Sequence, residues 1–262
     1  MAIIGISGKK QTGKDTVANI IQYLSDDQVD KEETKFSEWL DHSRSIRYIK
    51  KSPWEVHRWA DGVKDCVCIM IGCSREQLED GDFKMRPLGE EWWYWSMYKE
   101  KYPYREYYES DFKYKSIEIQ NKLIKHNLVM PTPRDFLQLV GTEGGRYLLH
   151  PNIWVNSLMN KYKKTTRKFG EFHDGGSMMA KLYPLWLVPD TRFVNEAKAI
   201  KEAGGIVIRI ESNRADLTDK HASETALDDY KDFDYVVKCD GDMNDLAELI
   251  KPIYYEYEEK IK

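Results

Sequence analysis

The sequence has no long apolar run. Nowhere in its 262 residues is there a stretch approaching the roughly 20 apolar positions that a bilayer-spanning helix needs. The apolar start is short and runs into a Gly/Lys loop, which does not fit a secretory leader. Cysteine is scarce as well. Cys66, Cys68 and Cys73 cluster with C-x-C-x4-C spacing, which is no zinc pattern, and Cys239 stands apart. The expectation is buried, reduced thiols, with Cys66 and Cys73 on one helical face. An excess of either charge is also missing. With 40 basic and 44 acidic residues the net charge is −4, so no overall basic field recruits nucleic acid or an anionic membrane. A local cluster could still hold a small polyanion. Neither an internal repeat nor a low-complexity linker is visible.

What remains is a soluble, globular composition, 41 % hydrophobic and 32 % charged. The length suits one large domain or two small ones. "AIIGIS", residues 2–7, reads as a buried strand ending at a glycine loop. From Gly13 a helix follows, with Val17, Ile20, Ile21 and Leu24 at helical spacing. Further expected elements are a strand at 54–60, a helix at 62–72, helices at 133–149 and 152–164, and a strand at 182–188. A helix at 192–203, strands at 205–210 and 235–238 and a last helix from about 243 complete the pattern. Strands alternating with helices imply an α/β fold with a parallel sheet and right-handed crossovers. Residues 85–130 break that rhythm with "EEWWYWSMYKEKYPYREYYE". Such aromatics could stack on bases, cover a core edge or form a dimer contact. Glutamates match the basic residues there, which speaks against nucleic acid.

The spacing Gly8-x4-Gly13-Lys14 carries the clearest chemistry. Glycines let the backbone curl so that successive N–H groups point inward and cradle phosphate oxygens. The helix that follows adds the positive end of its dipole. Lys14 is placed to reach β and γ phosphates as a point charge. The usual hydroxyl after the lysine, a Mg²⁺ ligand, is replaced by Asp15, with Thr16 next. Asp15 could bind Mg²⁺, orient an acceptor, or simply complement the helix N-terminus.

The stretch "PTPRDFLQLVGTEGGRYLLHPNIW" is the second informative segment. Thr132 is the expected N-cap, Pro133 suits the first helical position, and Asp135 completes a capping box. At ~100° per residue, Arg134, Gln138, Gly141, Thr142 and Gly145 share one face, and Phe136, Val140, Tyr147 and Leu148 a core face. The first face either binds a phosphate and a base or admits another helix against its glycines. In "LVPDTRFVNEA", Asp190, Arg192 and Glu196 follow the end of a strand, where α/β sheets bind ligands. Asp190 could hold Mg²⁺ through water or a sugar hydroxyl, and Arg192 and Glu196 could simply pair as i and i+4.

Together, "GISGKKQTGKDT", "WADGVKD", "TPRDFLQLVGTEGGR" with "NIWV", "VPDTRFVNEA", "GGIVIRI" and "HASE" resemble the phage-type deoxynucleoside monophosphate kinases, of the P-loop NMP-kinase-like group. The Asp after the lysine is itself characteristic of that family. The resemblance implies a three-layer P-loop fold, a single kinase domain over 1–262, and an insertion, lid or acceptor-side subregion at about 85–130. It implies transfer of the ATP γ-phosphate to a dNMP with Mg²⁺, giving a dNDP for DNA synthesis. By the same resemblance, ATP phosphates lie on the loop residues Gly8, Lys9, Thr12, Gly13, Lys14, Asp15, Thr16 and Val17. Asp15 and Thr16 stand at the reaction centre and hold the metal. The acceptor is held by Arg134, Gln138, Gly141, Thr142, Trp154, Asp190, Arg192 and Glu196, and Arg134 and Arg192 grip its phosphate. Small nucleotides are the implied partners, with no nucleic acid and no membrane, and a homodimer is left open. The implied compartment is cytoplasmic, that of a bacterial host if the chain is phage-encoded. The rival readings are a kinase of another small phosphorylated metabolite and an ATP-hydrolysing switch or motor. Arg75, Arg86 and Arg214 are the candidates for adenine contacts or lid arginines.

Overall fold

The structure is a computed structural model that describes residues 2–44, 52–92, 94–95, 128–171, 177–215 and 225–261. The chain divides into two compact units, Met1–Ala60 with Trp154–Lys262, and Asp61–Ile153.

In the first unit, β1 (Ala2–Gly8) leads through the glycine loop into α1 (Lys14–Leu24), and α2 (Phe36–Ser43) follows. The strand expected at 54–60 is only β2 (Trp54–Val56). The second unit begins with α3 (Asp61–Ile71), α4 (Arg75–Glu79) and α5 (Gly81–Met85), then a 3₁₀ turn at Glu90–Trp92. There β3 (Tyr94–Trp95) pairs antiparallel with β4 (Leu128–Val129). α6 (Pro133–Gln138) passes into a π-helical stretch, Leu139–Leu149. Most of the aromatic insertion lies outside the described residues, as does "HASE" at 221–224.

Back in the first unit come α7 (Ile153–Met159), β5 (Thr165–Glu171), β6 (Ser177–Leu182), β7 (Leu185–Val188), α8 (Val194–Glu202), β8 (Ile206–Glu211), β9 (Tyr235–Lys238) and α9 (Met243–Ile261). β5 and β6 pair antiparallel as a separate two-stranded sheet. These strands lack the apolar runs that mark the buried sheet. The strand expected from 182 starts at Leu185, just after Pro184, which cannot donate to a ladder.

The main sheet is parallel throughout, in the order β2-β7-β1-β8-β9. Alternation along β1 sends Ile4 and Ile6 to one face and Ile3 to the other. The first face packs on Val17, Ile20 and Ile21 of α1 and on Leu246, Ile250 and Tyr254 of α9. The second packs Ile3, Val188 and Val207 on Ala197 and Ile200 of α8 and on Val155 and Leu158 of α7. Helices thus cover both faces, the three-layer arrangement expected. Two tyrosines anchor the start of β1. The Tyr162 hydroxyl accepts the Ala2 N–H at 2.8 Å, and the Tyr257 hydroxyl lies 3.3 Å from the Ile3 carbonyl, to which it donates.

Three thiols depart from expectation. Cys66, Cys68 and Cys73 are only half-buried, and α3 ends before Cys73. Cys73 therefore meets Cys68, Sγ to Sγ at 3.8 Å, rather than sharing a face with Cys66. Burial, followed by the hydrogen bond to Cys68, pushes the Cys73 thiol up from its ordinary range.

Candidate active site

Three neighbouring strands, β2, β7 and β1, end on one edge of the sheet, and the segments leaving them carry the candidate residues. The glycine loop leaves β1. A Cβ on Gly8 would stand 2.4 Å from Thr12 Oγ1 and 2.8 Å from the Ile210 carbonyl oxygen, so only glycine fits. Gly13 caps α1 with φ 91°, a left-handed conformation that an L side chain resists, and the helix start has no side-chain cap. Gln11 is also left-handed, at φ 68°. This is the curled backbone a phosphate nest needs. Within the loop, the Lys9 carbonyl accepts from Lys14 Nζ at 2.6 Å and from Thr12 Oγ1 at 2.9 Å. Lys14 and Thr12 are buried, so the ammonium is held at the loop rather than in bulk water. Val17 is fully buried and packs α1 onto the sheet, so its side chain serves the core.

Asp15, in the first turn of α1, is exposed and pairs with Arg58 at 2.7 Å. Arg58 lies just beyond β2 and was not among the residues expected from sequence. The only signal was a lone Arg in "WEVHRWA". The segment after β7 meets the same place. Asp190 accepts the Trp59 N–H on one carboxylate oxygen at 3.0 Å and the Ala60 N–H on the other at 3.1 Å. Burial pushes its carboxyl up from the ordinary aspartate range. The two N–H bonds, then the charges of Arg192 and Arg58, pull the other way. Asp190 thus braces the chain after β2 and shares a field with two guanidinium groups. Glu196 is buried, and its Oε2 accepts the backbone N–H groups of Arg192 and Phe193 at 2.8 and 3.0 Å. It caps α8 and sets the turn that carries Arg192. Trp154 is buried in α7. Arg214 donates to the Gly241 carbonyl at 2.7 Å, joining the ends of β8 and β9.

The described residues include no cluster of three or more His, Cys, Asp or Glu that could cage an ion. Asp15 and Thr16 supply a carboxylate and a hydroxyl in the first turn of α1, a hard-oxygen pair that fits Mg²⁺ held chiefly by nucleotide phosphates.

In the second unit the capping box is as expected. Thr132 Oγ1 accepts the Asp135 N–H at 3.2 Å, Asp135 Oδ2 accepts the Thr132 N–H at 2.8 Å, and Pro133 opens the helix. Arg134 is exposed and Gln138 half-buried, while Thr142 and Gly145 are buried. A Cβ on Gly141 would lie 3.4 Å from Val63 of α3, so this part of the stripe admits another helix. The expected core face is not one. Tyr147 is 65 % exposed and Leu148 81 %. From Leu139 the helix widens, shown by the i→i−5 bond from His150 N–H to the Gly145 carbonyl, and each residue turns through less than 100°. The face assignment therefore drifts out of phase. Arg75 is committed to Asp61 at 2.9 Å and Asp65 at 2.8 Å, with Glu79 at 3.7 Å, and Arg86 is exposed.

A parallel sheet ordered in this way, with helices on both faces and a G-x4-G-K loop between its central strand and the first helix, has the architecture of a P-loop NMP-kinase-like α/β fold. The family model for deoxynucleotide monophosphate kinase matches residues 89–250, well over half of the chain. The chain belongs to the deoxynucleotide monophosphate kinase family. It is also 34 % identical over 113 residues to a protein of Acanthamoeba polyphaga mimivirus named "Putative deoxynucleotide monophosphate kinase". That match takes in 40 % of this chain and about half, 52 %, of the viral relative. The glycine loop at residues 8–13 precedes the span that the family model matches. No helix among the described residues is long and apolar enough to cross a membrane.

Proposed function

We propose that the chain transfers the γ-phosphate of ATP to a deoxynucleoside monophosphate, giving ADP and a dNDP. The observation that carries this reading is the phosphate loop, built beside the Asp15–Arg58 pair and the Asp190–Arg192 turn on one sheet edge. Hydrolases and kinases share such loops, and the family supplies the acceptor.

Loop N–H groups and Lys14 hold the donor phosphates. Mg²⁺, when bound through those phosphates with Asp15 and Thr16, supplies charge neutralisation. A phosphate oxygen of the acceptor attacks the γ-phosphorus in line. A new P–O bond forms, the β–γ bridge breaks, and the electron pair leaves with ADP. Catalysis is positioning plus charge stabilisation. An acceptor phosphate is already largely ionised near neutral pH, so no general base is invoked. Arg192 takes the acceptor phosphate, with Glu196 accepting its backbone N–H and Asp190 bracing the Trp59–Ala60 segment. Arg134, Gln138, Gly141, Thr142 and Trp154 are assigned to the acceptor by family resemblance. Arg58 joins this set because it lies against Asp15, next to the transferred group.

Coupled ADP release across all NMPs and dNMPs tests the reading, with Lys14→Ala as control. The expected result is turnover with one or more dNMPs, abolished in Lys14→Ala while the fold is retained. Turnover unchanged in that variant would remove the loop from the mechanism.

A further inference from the structure

Asp228, on the segment between β8 and β9, is absorbed by none of these roles, yet it grips the phosphate loop from outside. Its two carboxylate oxygens lie 2.5 and 2.7 Å from Lys9 Nζ. One of them lies 3.7 Å from the Arg209 guanidinium. Arg209 is the register partner of Ser7 across β1 and β8 and donates to Ser7 Oγ at 3.1 Å. Its guanidinium sits 5.6 Å from the Phe233 ring centroid. Ser7 and Lys9 flank Gly8. The contacts Ser7–Arg209–Asp228–Lys9 therefore form a ring that the backbone closes through Gly8.

Lys9 is the pivot of this ring. Its side chain reaches outward to Asp228, while its carbonyl holds Lys14 Nζ and Thr12 Oγ1 within the loop. Moving the Lys9 side chain moves the carbonyl that positions Lys14. We propose that Asp228 is a positioning residue for phosphoryl transfer, fixing the first turn of the phosphate loop through Lys9 and Arg209. The proposal rests on the kinase reading and goes beyond it.

The charges predict a distinctive failure. One carboxylate faces two cations, so the ring keeps a net positive charge beside the place proposed for polyphosphate. Removing the carboxylate takes away the acid that Lys9 and Arg209 share and lets the Lys9 side chain shift towards phosphate oxygens. Attraction for ATP is retained, but its register is lost.

The test compares Asp228→Asn and Asp228→Glu with the parent enzyme. For Asp228→Asn the expectation is a kcat lower by about tenfold, from phosphate misplacement, with the KM for ATP within about twofold. Amide hydrogen exchange should quicken at residues 8–13, measured without nucleotide and so independent of any acceptor. Asp228→Glu should restore part of kcat, because it keeps the negative charge that Lys9 and Arg209 face. In a cycle with Lys9→Met, the second substitution should add little to the first. Unchanged kcat and loop exchange in Asp228→Asn would overturn the proposal, as would additive losses in the cycle. If the parent phosphorylates no dNMP, the kinase reading fails, while the exchange experiment still decides whether Asp228 orders the loop.

Discussion

Gly8→Ala tests the phosphate loop at the point of least slack. The new Cβ would stand 2.8 Å from the Ile210 carbonyl oxygen, where an ordinary C···O contact needs roughly 3.3 Å. That oxygen cannot retreat. Ile210 is paired with Gly8 on one side and Val237 on the other, so its strand is locked within the sheet. The second obstacle, Thr12 Oγ1 at 2.4 Å, is a side chain, but it is bonded to the Lys9 carbonyl. The displacement must therefore fall on the loop, by about half an ångström. Overpacking of this kind costs about 1–3 kcal/mol. In a chain of this size that lowers the melting midpoint by a few degrees, on the order of 5 °C. The functional loss is larger, because misplacing reactive groups by up to an ångström costs on the order of 10²-fold in rate. Thermal melting paired with the ADP-release assay reads both effects. Adding Thr12→Ala should recover part of the stability but little activity, since the clash with the Ile210 carbonyl remains. A Gly8→Ala enzyme that melts with the parent and turns over at the parental rate would refute the argument.

Arg58→Ala should lower turnover on the order of 10²-fold, as when a donor to developing charge is removed. Because its pair with Asp15 is exposed, the melting midpoint should scarcely move. A parental kcat would remove Arg58 from the centre. Arg134→Ala should raise the KM for the acceptor far more than that for ATP, and equal losses for both ligands would refute its assigned side. A pH prediction comes from the two tyrosines that anchor β1. Burial is the main cause pushing the Tyr162 and Tyr257 phenols up to about 12, from an ordinary 10. The folded chain keeps protons there that the unfolded chain surrenders above pH 10, so their contribution is intact below pH 10 and is lost as pH climbs towards 12. Tyr162→Phe and Tyr257→Phe should each flatten the fall of denaturant stability over that interval. A slope identical to the parent's in both variants would exclude this account.

Local sequence determined those parts of the protein whose causes lie within a few residues. The apolar run of β1, the G-x4-G-K spacing and the amphipathic α1 announced the phosphate loop. Thr132, Pro133 and Asp135 announced the start of α6. The apolar strands β7, β8 and β9 announced the parallel sheet. Tertiary structure decided what depends on groups far apart along the chain. Arg58 meets Asp15 because β2 and β1 end on the same edge, and Asp190 accepts N–H groups 130 and 131 residues away. Asp228 reaches Lys9 across 219 residues because β8 lies beside β1. The outward turn of Tyr147 and Leu148 arises where the helix leaves 3.6-residue geometry, so a periodicity argument carried the wrong angle past Leu139. Short-range signals record propensity and spacing. Which charges share a site is set by strand order, and that order follows from how the two apolar faces of the sheet are buried.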